Sequence, residues 1–133
     1  MDDGCELTPP QPDPLSDVFN SDCPGRQVLD RVTSRWGVLV LAALSDGPLR
    51  FYLLRDRIGG ISERMLSLKL RELTRDGMVL RTVEPTVPPQ VSYELTPLGR
   101  ELTVPLQALL DWIARRSLDV VAAQERYDAS ATR

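Results

Sequence analysis

The spacing of apolar residues predicts two helices between residues 23 and 47. Pro24 opens the first helix, which Asp22 or Cys23 can cap, and its apolar side carries Val28, Leu29 and Val32. The second helix starts near residue 33 or 34 and ends before the Gly-Pro pair at 47–48. Residues 36–44 are almost entirely apolar and could form a buried strand, but the length of the segment and its flanking caps favour a buried helix.

Two more helices follow, separated by the Gly59-Gly60 turn. Residues 49–58 place apolar side chains at helical spacing among arginines, which predicts a third helix. Ser62 can cap a fourth helix that runs to about Asp76 and stops at Gly77. Leucines lie on one side of this helix and arginines on the other: Leu66, Leu70 and Leu73 against Arg64, Arg71 and Arg75, with Ser67 and Leu68 beside the arginines.

Beyond Gly77 the pattern changes to that of strands. Residues 78–83 are rich in β-branched side chains, residues 84–90 contain three prolines, and apolar residues alternate in 91–95. Thr96 caps and Pro97 opens a last helix, whose apolar residues cover more than one stripe. Pro105 predicts a kink in this helix or a break after Thr103.

A helix, a glycine turn, a basic helix and a β-hairpin together indicate a winged helix-turn-helix. We therefore predict a mainly α fold with a small β-hairpin wing (α+β), an extra N-terminal helix and a long C-terminal dimerisation helix. With 133 residues, one domain is expected, over residues 23–126. Residues 1–22, with four prolines, are expected to form a flexible acidic arm, and residues 127–133 a disordered tail.

The net charge of −3 is unevenly distributed along the chain. Residues 1–22 carry six acids and no base, residues 23–83 eleven bases and six acids, and residues 84–133 five bases and seven acids. The predicted helix-turn-helix region therefore has a charge of +5, from eleven bases minus six acids. The negative net charge of the whole chain thus does not argue against a nucleic-acid-binding surface in this region.

Composition disfavours several other functions. The chain has no histidine and only two cysteines, so we expect no metal site, no disulfide framework and no thiol enzyme with a neighbouring base. It has no phosphate-binding glycine loop and no convergent carboxylate pair, and we expect neither enzymatic activity nor a cofactor. It has no apolar run long enough to cross a membrane and an acidic start unlike a signal peptide, so we expect a cytoplasmic protein.

The outward side of the fourth helix has the chemistry that reading DNA requires. Arg64 and Arg71 can donate paired hydrogen bonds to guanine or bind phosphates, and Ser62 and Ser67 can bond to phosphates or bases. Leu68 can contact a thymine methyl group or lie at the edge of the core. A charged row is often only the solvated side of a helix, but the hairpin that follows favours DNA binding. The predicted DNA-binding set also includes Arg50, Arg75, Arg81 and Gln90.

The stretch from residue 23 to about 113 resembles the HxlR-type family, which is related to the MarR-like group. The resemblance depends on several motifs together: Cys23-Pro24, Arg35-Trp36, Gly47-Pro48 with Arg50-Phe51, Ile61-Ser62 with Leu66, Leu70 and Leu73, Gly77, Val87-Pro88-Pro89, and Leu95-Thr96 with Gly99. It implies a bacterial winged-helix dimer that pairs through its first and last helices, binds a pseudo-palindromic operator and often represses a neighbouring gene. Two wing positions depart from the family pattern: Glu84 replaces a common aromatic residue and Gln90 a common arginine.

The last helix favours a homodimer on physical grounds, because a small winged domain cannot cover all of its apolar surface. A two-fold dimer would place two recognition helices roughly 34 Å apart, which is one turn of DNA. The alternative is that the helix packs back on its own domain. The predicted interface consists of Val28, Leu29, Leu106, Leu109, Leu110, Trp112 and Ile113.

Cys23 is a candidate redox sensor. It precedes a helix, where partial positive charge stabilises a thiolate, and Arg26 is one turn away. The resemblance implies that a cysteine at this place senses oxidants or electrophiles in some members of the family. The alternative is an inert, partly buried cysteine. Cys5 could act as a resolving partner but needs no role.

We therefore expect a homodimeric transcriptional regulator, in the repressor role that the resemblance implies, with double-stranded DNA as its partner and no membrane association. The alternative is a winged-helix module for protein interaction without sequence-specific DNA binding, which the acidic tails and the two changed wing positions favour weakly. The sequence identifies no operator, target gene or small-molecule effector.

Overall fold

The computed structural model describes residues 17–131, and within that range the chain forms five α-helices and three β-strands. A 3-10 turn, Leu44–Asp46, follows the second helix. In chain order the elements are α1 (Pro24–Val32), α2 (Arg35–Ala43), β1 (Leu49–Arg50), α3 (Phe51–Arg57), α4 (Glu63–Arg75), β2 (Val79–Glu84), β3 (Gln90–Leu95) and α5 (Pro97–Ala131). This confirms the predicted mainly α fold with a β-hairpin wing.

Side-chain hydroxyls cap three of the helices, and two of these caps, Ser62 and Thr96, are those predicted from the sequence. The Ser34 hydroxyl accepts a hydrogen bond from the Gly37 amide at 3.1 Å, and the Ser62 hydroxyl accepts one from the Met65 amide at 3.0 Å. Thr96 caps α5 in the same way. Each cap satisfies an amide that the first turn of a helix leaves without a partner. The apolar segment 36–44 is therefore a capped helix and not a strand.

The wing is part of a three-stranded antiparallel sheet in the order β1-β3-β2. The sequence pattern had placed Leu49 and Arg50 in the third helix, which was wrong, because they pair with Tyr93 and Ser92 of β3. Two residues are too short a segment to show strand periodicity, so only the pairing with β3 determines their conformation. α3 consequently begins at Phe51.

The core lies between α2, α3, α4 and the first turns of α5. The α4 leucines Leu66, Leu70 and Leu73 are all buried in it, as predicted. α5 approaches the start of β2 so closely that a side chain at Gly99 would collide with the Met78 carbonyl. This contact fixes the position of α5 on the domain.

α5 is longer and more continuous than the sequence pattern indicated. The helix does not break after Thr103 but runs through Pro105, because the buried residues on either side of the proline, Thr103 and Leu106, hold the helix against the domain. The predicted tail from residue 127 is helical as far as Ala131. Beyond Leu110 nearly every residue of α5 is exposed, so about 20 residues, roughly 30 Å of helix, extend away from the domain.

Most of the predicted arm, residues 1–22, lies outside the described residues. Residues 17–22 form turns in which Asp17 and Asn20 side chains accept backbone hydrogen bonds. In residues 17–131, no helix is long and apolar enough to cross a membrane.

Candidate nucleic-acid interface

The outward side of α4 presents the residues predicted to read DNA. Arg64, Ser67, Arg71 and Arg75 are on the side of the helix opposite the buried leucines, and none of them is buried. Leu68 lies among them, is 40% exposed and lies outside the core cluster. The helix thus separates a packing side from a polar side that is free to contact a ligand.

Contacts with α3 and α2 hold the N-terminal end of α4. Arg55 of α3 forms an ion pair with Glu63 in the first turn of α4 and lies over the Tyr52 ring, 5.0 Å from its centre. The turn between the two helices includes Gly60, whose φ of +85° favours glycine, and it lies beside the Trp36 ring. These contacts join the first turn of α4 and the turn before it to α3 and α2.

A groove of about 480 Å³ separates α4 from the wing. Three arginines line it: Arg71 and Arg75 from α4, and Arg81 from β2. Arg81 pairs in register with Tyr93 of β3, which also lines the groove. Arginine is well suited to phosphate because its fork of N–H donors matches two phosphate oxygens. Two separate elements therefore direct positive charge into one groove.

The arginines of this surface carry uncompensated charge. Within residues 17–131, none of them forms an ion pair, whereas Arg31, Arg55 and Arg116 are all paired with acids. Unpaired guanidinium groups retain their donors and their full charge for a ligand. On β1, α4 and β2 the arginines without an ion pair are Arg50, Arg64, Arg71, Arg75 and Arg81; elsewhere in the described chain the same holds for Arg26, Arg35, Arg57, Arg100, Arg115 and Arg126.

The structure divides the predicted DNA-binding residues into two groups. The first group lies along one side of α4 and consists of Ser67, Leu68 and the arginines of that helix. The N-terminal half of this side, including Ser62 and Arg64, borders a depression of about 340 Å³. Arg50 and Gln90 instead share a groove of about 350 Å³ between the start of α3 and the wing. Gln90 is paired with Glu84, so both departures from the family pattern lie at the base of the wing loop.

The Cys23 side chain is only 1% exposed and is disulfide-bonded. The other cysteine of the sequence, Cys5, lies outside the described residues. The Arg26 guanidinium donates hydrogen bonds to the Val18 and Phe19 carbonyls, both at 3.2 Å. The turns of residues 17–22 supply these acceptors, which the sequence pattern did not reveal.

The predicted dimer residues are divided by the structure. Leu106 is 6% exposed and belongs to the core of its own domain, so it is unavailable to a partner. Leu110 also packs partly against that core. The remaining predicted residues are exposed: Val28, Leu29, Leu109, Trp112 and Ile113.

Sequence reasoning missed three features of the surface. Thr74 and Tyr93 line the groove between α4 and the wing, and the strand register is the signal that could have placed Tyr93 opposite Arg81. An ion pair between Arg31 and Asp76 joins residues 45 positions apart, and no local pattern predicts it.

Comparisons with known proteins agree with this geometry. The HTH-type transcriptional regulator YtfH of Escherichia coli K12 is 48% identical over 108 residues, which cover 81% of this chain and 86% of YtfH. The structure of the transcriptional regulator YtfH from Salmonella typhimurium matches with a TM-score of 0.78 at 49% identity, over 82% of this chain and 97% of that one. The redox regulator HypR in its oxidized form matches with a TM-score of 0.65 at 38% identity, over 70% and 96% of the two chains.

The sequence profile of the HxlR-like helix-turn-helix family matches residues 31–119, which include α2 to α4, the wing and most of the α5 residues that contact the domain. The match, the winged-helix architecture and the relatives at more than 40% identity agree with one another. The chain belongs to the HxlR-like helix-turn-helix family of transcriptional regulators.

Proposed function

We propose that this protein binds a specific DNA operator through α4 and the wing. The observation that carries the proposal is the convergence of Arg71, Arg75 and Arg81 on one groove without acidic partners in the described chain. α4 presents a polar side about 20 Å long, which suits the major groove of B-DNA. The N-terminal half of such a helix lies nearest the base edges.

The residues of the surface then take different roles. Arg64 and Ser67 lie in the first two turns of α4 and Arg71 in the third. All three are assigned to base contacts, with Leu68 beside them for a thymine methyl group. Arg75, near the end of the helix, and Arg81 on the wing are assigned to phosphates, which fix the register of the protein on DNA without reading sequence.

The protein is proposed to act as a homodimer. Exposed apolar side chains on α1 and α5 support this, since Val28, Leu29, Leu109, Trp112 and Ile113 lack a covering element in the described chain. The exposed part of α5 adds further apolar side chains, including Val120 and Tyr127. A two-fold dimer would read two half-sites roughly one DNA turn apart, which predicts a pseudo-palindromic operator. Repression of a neighbouring gene is the role that the family resemblance implies.

We infer that thiol–disulfide chemistry at Cys23 regulates this binding. Cys23 immediately precedes α1, is buried and is disulfide-bonded. One of the similar structures is of a protein described as a redox regulator. With Cys5 as resolving partner, two thiols would lose two electrons and two protons to hydrogen peroxide, which becomes two water molecules, and one disulfide would form.

The experiment that tests DNA binding selects bound fragments from a genomic library and then measures affinity for the selected site. Arg64→Ala and Arg71→Ala should each weaken operator binding by about 1–3 kcal/mol. Arg126→Ala, which removes the same charge near the far end of α5, is the control and should have little effect. Unchanged affinity in both α4 variants would show that another surface reads the DNA. A protein-interaction module would instead show no preferred fragment and no steep salt dependence.

The redox proposal is tested on the full chain by adding peroxide to the reduced protein. DNA binding by Cys23→Ser should no longer respond to peroxide. An unchanged response in that variant would refute the role of Cys23. Cys5→Ser tests the resolving partner separately, because a normal response there would reject Cys5 alone.

A further inference from the structure

A partly buried ion pair connects α1 to the end of α4. The Arg31 Nε–H donates to Asp76 Oδ2 at 2.6 Å, and the two side chains are 26% and 10% exposed. Within residues 17–131, no other ion pair joins α1 to a different element. The ion pair between Lys69 and Glu72 lies within α4 and does not connect it to another element.

The pair compensates an unfavourable charge on α4. Asp76 is the C-cap residue of α4, where the helix dipole places partial negative charge and disfavours a carboxylate. Its side chain is also largely removed from water, and a desolvated carboxylate requires a partner. Arg31 supplies that partner from the last turn of α1, where a cation is favourable.

Arg31 is itself held rigidly. Its carbonyl accepts a hydrogen bond from the Ser34 hydroxyl at 2.8 Å. Gly37 allows α2 to approach so closely that a side chain there would collide with the same carbonyl. The guanidinium of Arg31 therefore extends from a fixed backbone, and the pair constrains the C-terminal end of α4 as Arg55 and Glu63 constrain its N-terminal end.

We propose that Arg31 and Asp76 are positioning residues that set the orientation of α4 relative to α1 and thereby determine operator specificity. This inference rests on the proposed function. α1 contributes Val28 and Leu29 to the proposed dimer interface, so the angle between α1 and α4 also sets the distance and tilt between the two reading helices of a dimer. The buried leucines fix how deeply α4 packs. The ion pairs at its two ends, Arg55–Glu63 and Arg31–Asp76, fix the direction of its axis.

The substitution Asp76→Asn separates positioning from simple electrostatics because the two predict opposite signs. It removes a negative charge, so electrostatics alone would leave DNA binding unchanged or make it tighter. Loss of positioning should instead weaken binding to the selected operator by about fivefold or more, while binding to random duplex DNA is unchanged or tighter. The measured quantity is the ratio of the two affinities, which a merely structural role in folding would not move selectively.

Two further variants and a control complete the experiment. Arg31→Gln should lower the ratio by a similar factor, and the double variant should be no worse than either single variant, because both remove the same interaction. Glu101→Gln removes the same charge from an exposed position on α5 and should leave the ratio unchanged. Asparagine is tolerated at helix C-termini, and thermal unfolding of each variant checks that it is folded.

Each outcome decides the inference. Operator binding by folded Asp76→Asn that equals or exceeds the wild-type value would overturn it and leave the proposed function intact. If the wild-type chain shows no preference for any fragment, the proposed function fails and the inference with it. If Asp76→Asn does not fold, Arg31→Gln takes its place, since it removes the guanidinium and leaves Asp76 unchanged, and loss of a charge alone weakens binding to operator and random duplex alike. An unchanged affinity ratio in that variant would overturn the inference.

Discussion

The assignment of Arg81 to a DNA phosphate can be tested through the salt dependence of binding. Arg81 is exposed, lies on β2 and forms no ion pair in the described chain, so Arg81→Gln should leave the fold unchanged. Its removal should abolish one phosphate contact per subunit and two in the proposed dimer. The perturbation is therefore confined to the charge that the wing presents to DNA.

The magnitude follows from counterion release. Each phosphate contact contributes about 0.9 to the slope of log affinity against log salt, so two lost contacts should reduce the slope by about 1.8. Over a fourfold range of salt, that difference corresponds to a change of about 12-fold in the ratio of wild-type to variant affinity. The variant should thus lose most affinity at low salt and least at high salt.

The assay is a fluorescence-anisotropy titration of a random duplex at several salt concentrations. Arg126→Gln is the matched control, because it removes an equal charge from the far end of α5. An Arg81→Gln slope equal to the wild-type slope would refute the phosphate assignment. An equal fall in the slope of the Arg126→Gln control would show that only net charge matters and not the position of Arg81 in the groove.

Three further predictions concern the wing, the packing of α5 and the cap of α4. Glu84→Gln removes an exposed acid from the wing and should tighten binding to random duplex in the same titration; weaker binding would mean that Glu84 does not face the phosphates. Gly99→Ala should destabilise the fold by about 1–3 kcal/mol in urea unfolding, because the new methyl group meets the Met78 carbonyl. Gly59→Ala is the control and should not destabilise the fold, because its methyl group meets nothing within 4 Å. Ser62→Ala should cost about 1 kcal/mol through loss of the hydrogen bond to the Met65 amide, and Ser62→Asp should retain that stability; equal unfolding midpoints for all three proteins would contradict the role of the cap.

Local pattern was sufficient for the helices and for the two sides of α4. The leucines recur at helical spacing, and Ser62 and Thr96 are strong caps whose action needs only the next three residues. Local pattern was insufficient for β1, because the conformation of two residues depends on a strand more than 40 positions away. It was also insufficient at Pro105, where packing on both sides of the proline outweighs its tendency to interrupt a helix.

The candidate site shows the same division. The sequence by itself determined that α4 is basic on one side and apolar on the other, because both properties follow from residue type and a fixed angle per residue. Only the tertiary structure decided which arginines meet in one groove, that Leu106 belongs to the core, that Arg26 bonds to the Val18 and Phe19 carbonyls, and that Arg31 compensates Asp76. These outcomes depend on contacts between residues far apart in the chain, which are established only when the helices and the sheet pack together.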